Sequence, residues 1–235
     1  GATIGYNYDQ TIGPGEKISY QWYADKEYGG TILYDYGDIR SHRLHGAYGS
    51  LIIEPKGAKY RDPKTGEEIT SGARADIIVP NMPDFREQVL MFSDGLYTIG
   101  KDGSIPTPGV ADLDMEDRGE KGINYSSEPF KHRLAANPDK SLIFSSIIHG
   151  DPSTPVPEAY VGDPIRLRVM QTADRSRGSV FTLHSHRWRY QWTDPNSKLV
   201  SSQGSLTPGE TLDIIPVQND GLVNQVGDYV YREMK

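Results

Sequence analysis

The sequence predicts an all-β protein built from many short strands, and three observations carry that expectation. Aromatic residues make up 10% of the chain, with 15 Tyr against 5 Phe, a bias toward side chains that suit a half-buried pleated surface. Turn-forming residues recur throughout, with 25 Gly and 16 Pro. Apolar and polar residues alternate with a period of two in several runs, and helix is poorly supported anywhere, with a turn or two at most over 112–120.

The elements follow in order. Lys17–Tyr23, Thr31–Tyr34 and Ser50–Ile53 alternate and are separated by Gly-Pro-Gly and Tyr-Gly-Gly turns. From Glu54 to about Asp84 the composition shifts to Pro, Gly, Lys and Asp, the signature of a linker or long surface loop. Strand patterning resumes at Glu87–Phe92 and, after a polar stretch over 101–124, at Ser141–Ile148, Ile165–Gln171, Ser179–Leu183, Arg187–Trp192, Thr211–Val217 and Asp228–Tyr231. An internal repeat overlies these elements. Ile12-Gly13-Pro14-Gly15-Glu16, a strand and Gly30–Tyr34 recur about 195 residues later as Leu206-Thr207-Pro208-Gly209-Glu210, a strand and Gly227–Tyr231.

Composition excludes several function classes. A net charge of −7 argues against a nucleic-acid partner, because phosphate binding needs a basic surface. No apolar run reaches the roughly 20 residues that span a bilayer. With no Cys, disulfides, thiolate metal sites and cysteine nucleophiles are all excluded. Phosphate loops, serine-nucleophile elbows and zinc-protease helices are equally missing from the sequence.

Histidine carries the chemistry worth weighing. His184 and His186 form a His-x-His on an expected strand, where both rings would face one side and reach one metal or two neighbouring metals. A hydrogen-bonded pair packed beside Trp188 is the competing reading. His42 and His45 make a second pair, read first as part of a surface loop and otherwise as metal ligands. Asp112, Asp114, Glu116 and Asp117 offer oxygen ligands for a hard cation or, alternatively, a solvated acidic loop. His132 and His149 have no partners at ligand spacing.

Several of these segments together resemble the multicopper oxidases, and the large many-domain bacterial members of manganese-oxidase or ceruloplasmin type in particular. Leu183-His184-Ser185-His186-Arg187-Trp188 is similar to the family's His-Gly-His-x-aromatic strand, and Gly46–Pro55 resembles the strand after its copper motif. Pro14–Thr31 and Ala159–Arg168 resemble the strands that precede these two motifs. The resemblance implies a cupredoxin-like Greek-key β-sandwich fold: residues 1–57 the C-terminal part of one domain, 58–84 a linker or long loop, and 85–235 a second domain lacking its final strand. It also implies a parent assembly that oxidises a metal ion or organic substrate with copper and dioxygen. Its other cupredoxin domains or chains would be the partners, and its location secreted, periplasmic or at the cell surface.

The departures from the family pattern matter as much. The family's thiolate-bearing triplet falls on Tyr36, Gly37 and Asp38, and its axial Met falls on Ala47. Of that set His42 remains, at a type 1 imidazole position. Ser179 and Thr182 replace two ligands of the other motif; His184 matches a third, and His186 matches a His that ordinarily binds no metal. Copper is therefore expected in the parent assembly, no type 1 copper in this chain, and metal, if any is held here, at His184, His186 or His42. The chain alone is expected to be inactive, chiefly scaffold and interdomain surface. The alternative is a non-enzymatic extracellular assembly protein derived from cupredoxin domains, polymerising by strand complementation.

Completeness carries an expectation too. The chain opens on Gly1-Ala2-Thr3, as one stretch of a longer polypeptide or after removal of an upstream segment. Residues 1–55 hold too few strands for a sandwich of about seven. Tyr20, Trp22, Ile32 and Ile52 would then be buried by residues 85–235 or by another polypeptide.

Overall fold

A computed structural model of the chain describes residues 11–38, 41–103, 120–173, 178–217 and 225–234. The elements are β1 (Gly29–Tyr34), α1 (Ser41–Leu44), β2 (Tyr48–Ile53), β3 (Lys59–Arg61), β4 (Arg74–Ile78), β5 (Phe85–Leu96), β6 (Glu120–Ile123), α2 (Phe130–Ala136), α3 (Ser146–His149), β7 (Ile165–Ala173), β8 (Ser179–Leu183), β9 (Trp188–Arg189), β10 (Leu199–Val200), β11 (Ser202–Leu206), β12 (Thr211–Ile214) and β13 (Tyr231–Met234). The protein is mostly β with few helical residues, and no described helix is long and apolar enough to cross a membrane.

A central sheet runs in the order β12-β7-β5-β4-β3, with β6 on the far end of β5. Strands β5 and β7 are parallel and the other pairs antiparallel. Because opposed residues share a face, register sorts this sheet into two unlike surfaces. Leu90 lies beside Val169, and Val169 beside Leu212. That face is apolar and packs on the three-stranded sheet β11-β8-β13. Phe181 of β8 fills the space between, its ring 6.1 Å from Phe92 and 6.0 Å from Trp188. Phe181, Trp188, Leu206 and Ile214 are fully buried, and each such side chain contributes about 1.5–3 kcal/mol.

The opposite face is charged. Glu87 lies beside Arg166, and Arg168 beside Asp213. The antiparallel pair β1–β2 covers this face, helped by a small apolar cluster of Leu44, Tyr48 and Ala173. Ala75, Ile77, Val79 and Phe85 form a further cluster at its β4 end.

Some expectations are corrected here. The span 58–84, read as linker or loop, gives β3 and β4 to the central sheet; Arg74-Ala75-Asp76-Ile77-Ile78 alternates, but the surrounding Pro and Gly obscured it. Ser141–Ile148 is not a strand. Asp139 accepts from the Ser141 amide at 2.9 Å to start a 3-10 turn, and α3 follows. Lys17–Tyr23 is not a regular strand, and only Trp188 and Arg189 of the 187–192 run are extended in β9. Tyr20 and Trp22, expected to be buried, are 46% and 43% exposed, whereas Ile32 and Ile52 are half-buried.

The repeat does share a turn. Gly15 has φ 83° and the Glu16 amide donates to Gly13 O at 3.1 Å; Gly209 has φ 98° and the Glu210 amide donates to Thr207 O at 2.8 Å. Pro before a left-handed Gly is the chemistry of a type II turn, and both copies use it.

Candidate functional site

His184 and His186 sit on a turn, not on one strand. β8 ends at Leu183, and the His184 amide still donates to Val230 O at 2.9 Å. Ser185 then takes φ 63°, which reverses the chain so that Trp188 can pair with β10 in a different sheet. The two rings lie in different surroundings. His184 is exposed; His186 is buried, its Nδ1 2.9 Å from His184 O and its ring edge-on to Tyr229 at 4.7 Å. Trp188 is fully enclosed, donating its indole N–H to Gln203 Oε1 at 2.8 Å.

His42 lies on α1, exposed, with Nδ1 2.8 Å from Asp35 Oδ2. Asp35 also accepts from the Gly37 amide at 2.8 Å. That amide first, and His42 second, hold the Asp35 carboxyl below its ordinary range. His45, one turn on, is exposed with Nδ1 2.8 Å from Ser41 O. His132 is on α2 and His149 on α3. Asp112, Asp114, Glu116 and Asp117 lie outside the described residues. Among the described residues, no three His, Cys, Asp or Glu side chains converge as a metal-binding group.

The most concentrated chemistry is elsewhere, in a buried charge cluster that closes β1–β2 onto the central sheet. Arg168 is fully buried. Its Nε donates to Glu87 Oε2 at 2.8 Å, its Nη2 to Glu54 Oε1, and its Nη1 lies 2.8 Å from Asp213 Oδ1. Arg166 donates to Glu27 Oε1 at 2.5 Å, lies 3.5 Å from Glu54 Oε2, and sets its guanidinium 3.7 Å from the Phe85 ring centroid. Four carboxyls thus face two guanidiniums. Burial first, and the facing Glu54 carboxyl second, push Glu87 up to about 8, against the opposing pull of Arg168. Glu87 therefore keeps its proton near neutral pH. Burial opposes charge on Arg168, but Asp213, Glu87 and Glu54 outweigh it and hold the guanidinium protonated. Tyr60 on β3 borders the cluster, and burial and the Glu54 and Glu87 charges raise its phenol.

The approach of β1 depends on glycine. Gly29 has φ 69°, and a Cβ there would collide with the Asp213 carboxylate. The Gly30 amide reaches Asp213 Oδ1 at 3.4 Å. Sequence reading missed this cluster, although Arg166 and Arg168 alternate within one strand and so announce a charged face. An open groove of about 530 Å³ beside it is lined by Arg74, Arg86, Gln88, Tyr160 and Leu167. Its Arg86 is already engaged by Asp76 at 2.8 Å and Asp163 at 3.3 Å.

No protein-family model matches the chain, and no curated protein matches it.

Proposed function

We propose that this chain is a scaffold segment of a multicopper-oxidase-type assembly outside the cytoplasm, with a cupredoxin-like Greek-key architecture and without a copper centre of its own. The carrying observation is that its three candidate imidazoles occupy three different surroundings. His184 is on an exposed turn, His186 is buried against Tyr229, and His42 is tied to Asp35. A blue-copper centre needs a thiolate and two imidazoles on one ion. This chain has no Cys, and Gly37 stands where the resemblance would call for the sulfur. The residues do not fit that centre, and no electron-transfer step is routed through them.

Its contribution would be surface. Tyr23 and Tyr160 are each 78% exposed, Phe144 60% and Ile147 97%. Exposed apolar side chains on this scale suit contact with other domains, and further cupredoxin domains of the same assembly are the partners we infer. The test is His184→Ala in the longest natural polypeptide that contains this chain, read as copper per protein and oxidase rate. Both should be unchanged. A loss of copper would make His184 a ligand and overturn the scaffold reading, and a parent with no copper at all would overturn the oxidase assignment.

A further inference from the structure

We propose that His42 and His45 form a surface site for one divalent transition-metal ion of the imidazole-preferring class, for which zinc is the simplest probe. This site is separate from the turn that carries His184 and His186, and it contains no sulfur.

The argument begins with the ring nitrogens. His45 Nδ1 lies 2.8 Å from the Ser41 carbonyl oxygen. A carbonyl oxygen only accepts, so Nδ1 carries the proton and the neutral ring presents Nε2 as a lone pair. His42 Nδ1 lies 2.8 Å from Asp35 Oδ2, also an acceptor while the carboxyl is ionised. The other carboxyl oxygen, Oδ1, accepts from the Gly37 amide at 2.8 Å, which fixes the orientation of the carboxyl toward His42. Both rings therefore share one tautomer, with Nδ1–H anchored and Nε2 available. A carboxylate or carbonyl holding the second nitrogen is the usual support of a metal-ligating histidine, and each ring has one.

Backbone geometry puts the rings on one turn. The His45 amide donates to Ser41 O and to His42 O, both at 3.1 Å, so residues 42 and 45 stand one helical turn apart. Side chains at that spacing are neighbours, with Cβ atoms about 5–6 Å apart. The turn is pinned on several sides. Asp38 Oδ1 accepts from the Ser41 amide at 3.0 Å, Leu44 is buried, and the His45 ring lies 5.5 Å from the Tyr97 ring. Two oriented imidazoles on a fixed turn can chelate one ion, leaving its other positions to water. The Asp35 carboxylate adds favourable charge without being a ligand.

The experiment is a Zn²⁺ titration of the whole chain, followed by NMR of the histidine ring protons and by calorimetry. The chain has 6 His, so each ring acts as a control for the others. His42 and His45 should shift together and saturate at one equivalent. His42→Ala and His45→Ala should each weaken binding at least about tenfold, and Asp35→Asn should do so by about tenfold while both rings still shift at saturation. That last outcome separates the positioning role of Asp35 from ligation. His42 and His45 are exposed, so their variants should keep the parent's thermal midpoint; if one unfolds, the ring shifts of the unaltered chain still decide the matter. Zinc that moves the rings of His184 and His186 instead, or binds equally well to both alanine variants, overturns the proposal.

Discussion

The proton on Glu87 gives the fold a pH dependence opposite to that of an ordinary paired carboxylate. Its pKa rises from 4.5 to about 8 on folding, so between those values the folded state binds more protons than the unfolded state. The stabilising contribution is complete below about pH 4.5 and is lost as pH rises through 8. At roughly 1.4 kcal/mol per unit, the shift sets a ceiling of about 5 kcal/mol, which solvent entering the layer contact lowers. Glu87→Gln isolates this effect. The amide oxygen can still accept from Arg168 Nε, and the amide N–H can donate to Glu54 in place of the carboxyl proton. Urea unfolding across pH 5–9 should show the parent losing several kcal/mol while the variant stays nearly flat. The two should be within about 1 kcal/mol at pH 5 and well separated at pH 9. A parent with flat stability over this range, or a variant that keeps the parent's slope, would refute a neutral Glu87 in the cluster.

Four further outcomes follow. Arg168→Met strands Glu54, Glu87 and Asp213 without their shared guanidinium and should cost about 3–5 kcal/mol at pH 8, less at pH 5, by urea unfolding. Gly29→Ala, which forces a side chain into φ 69° against Asp213, should cost at least about 1–3 kcal/mol by thermal melting. Gly49→Ala in β2, where a Cβ meets nothing within 4 Å, should stay within about 0.5 kcal/mol. Copper added to the chain should give no intense thiolate-to-copper charge-transfer band in the visible spectrum, because there is no thiolate to produce one.

The sequence was legible where a strand is buried on a patterned face. Ile165–Gln171 and Ser179–Leu183 fall within β7 and β8 because Leu167, Val169, Phe181 and Leu183 alternate into the one core between the two sheets. It was illegible where tertiary bonds decide. Ser141–Ile148 has the apolar run of a strand, yet Arg133 donates to Ile143 O at 3.1 Å and to Gly150 O at 3.3 Å and so gathers the segment into turns. The His-x-His failed as a strand for a similar reason. Its period of two is real in sequence, but a left-handed Ser185 between the two imidazoles cancels it, and no local signal at a serine announces φ 63°.

The two faces of the central sheet finally explain how this chain can hold two unlike attachments at once. The face toward β8 is apolar, and apolar contact is non-directional, so shape alone sets its register. The face toward β1–β2 is set by Arg168, which must meet Glu54, Glu87 and Asp213 together. A slip of β12 by one residue would turn Asp213 away from that guanidinium and leave the charge unmatched. A buried ion network contributes little net stability against an apolar substitute, whereas taking away one partner leaves an uncompensated buried charge that costs about 3–5 kcal/mol. In this chain it ties the end of β2 to the central sheet through Glu54 and Arg168, and the raised pKa of Glu87 predicts that this tie weakens as pH rises through about 8.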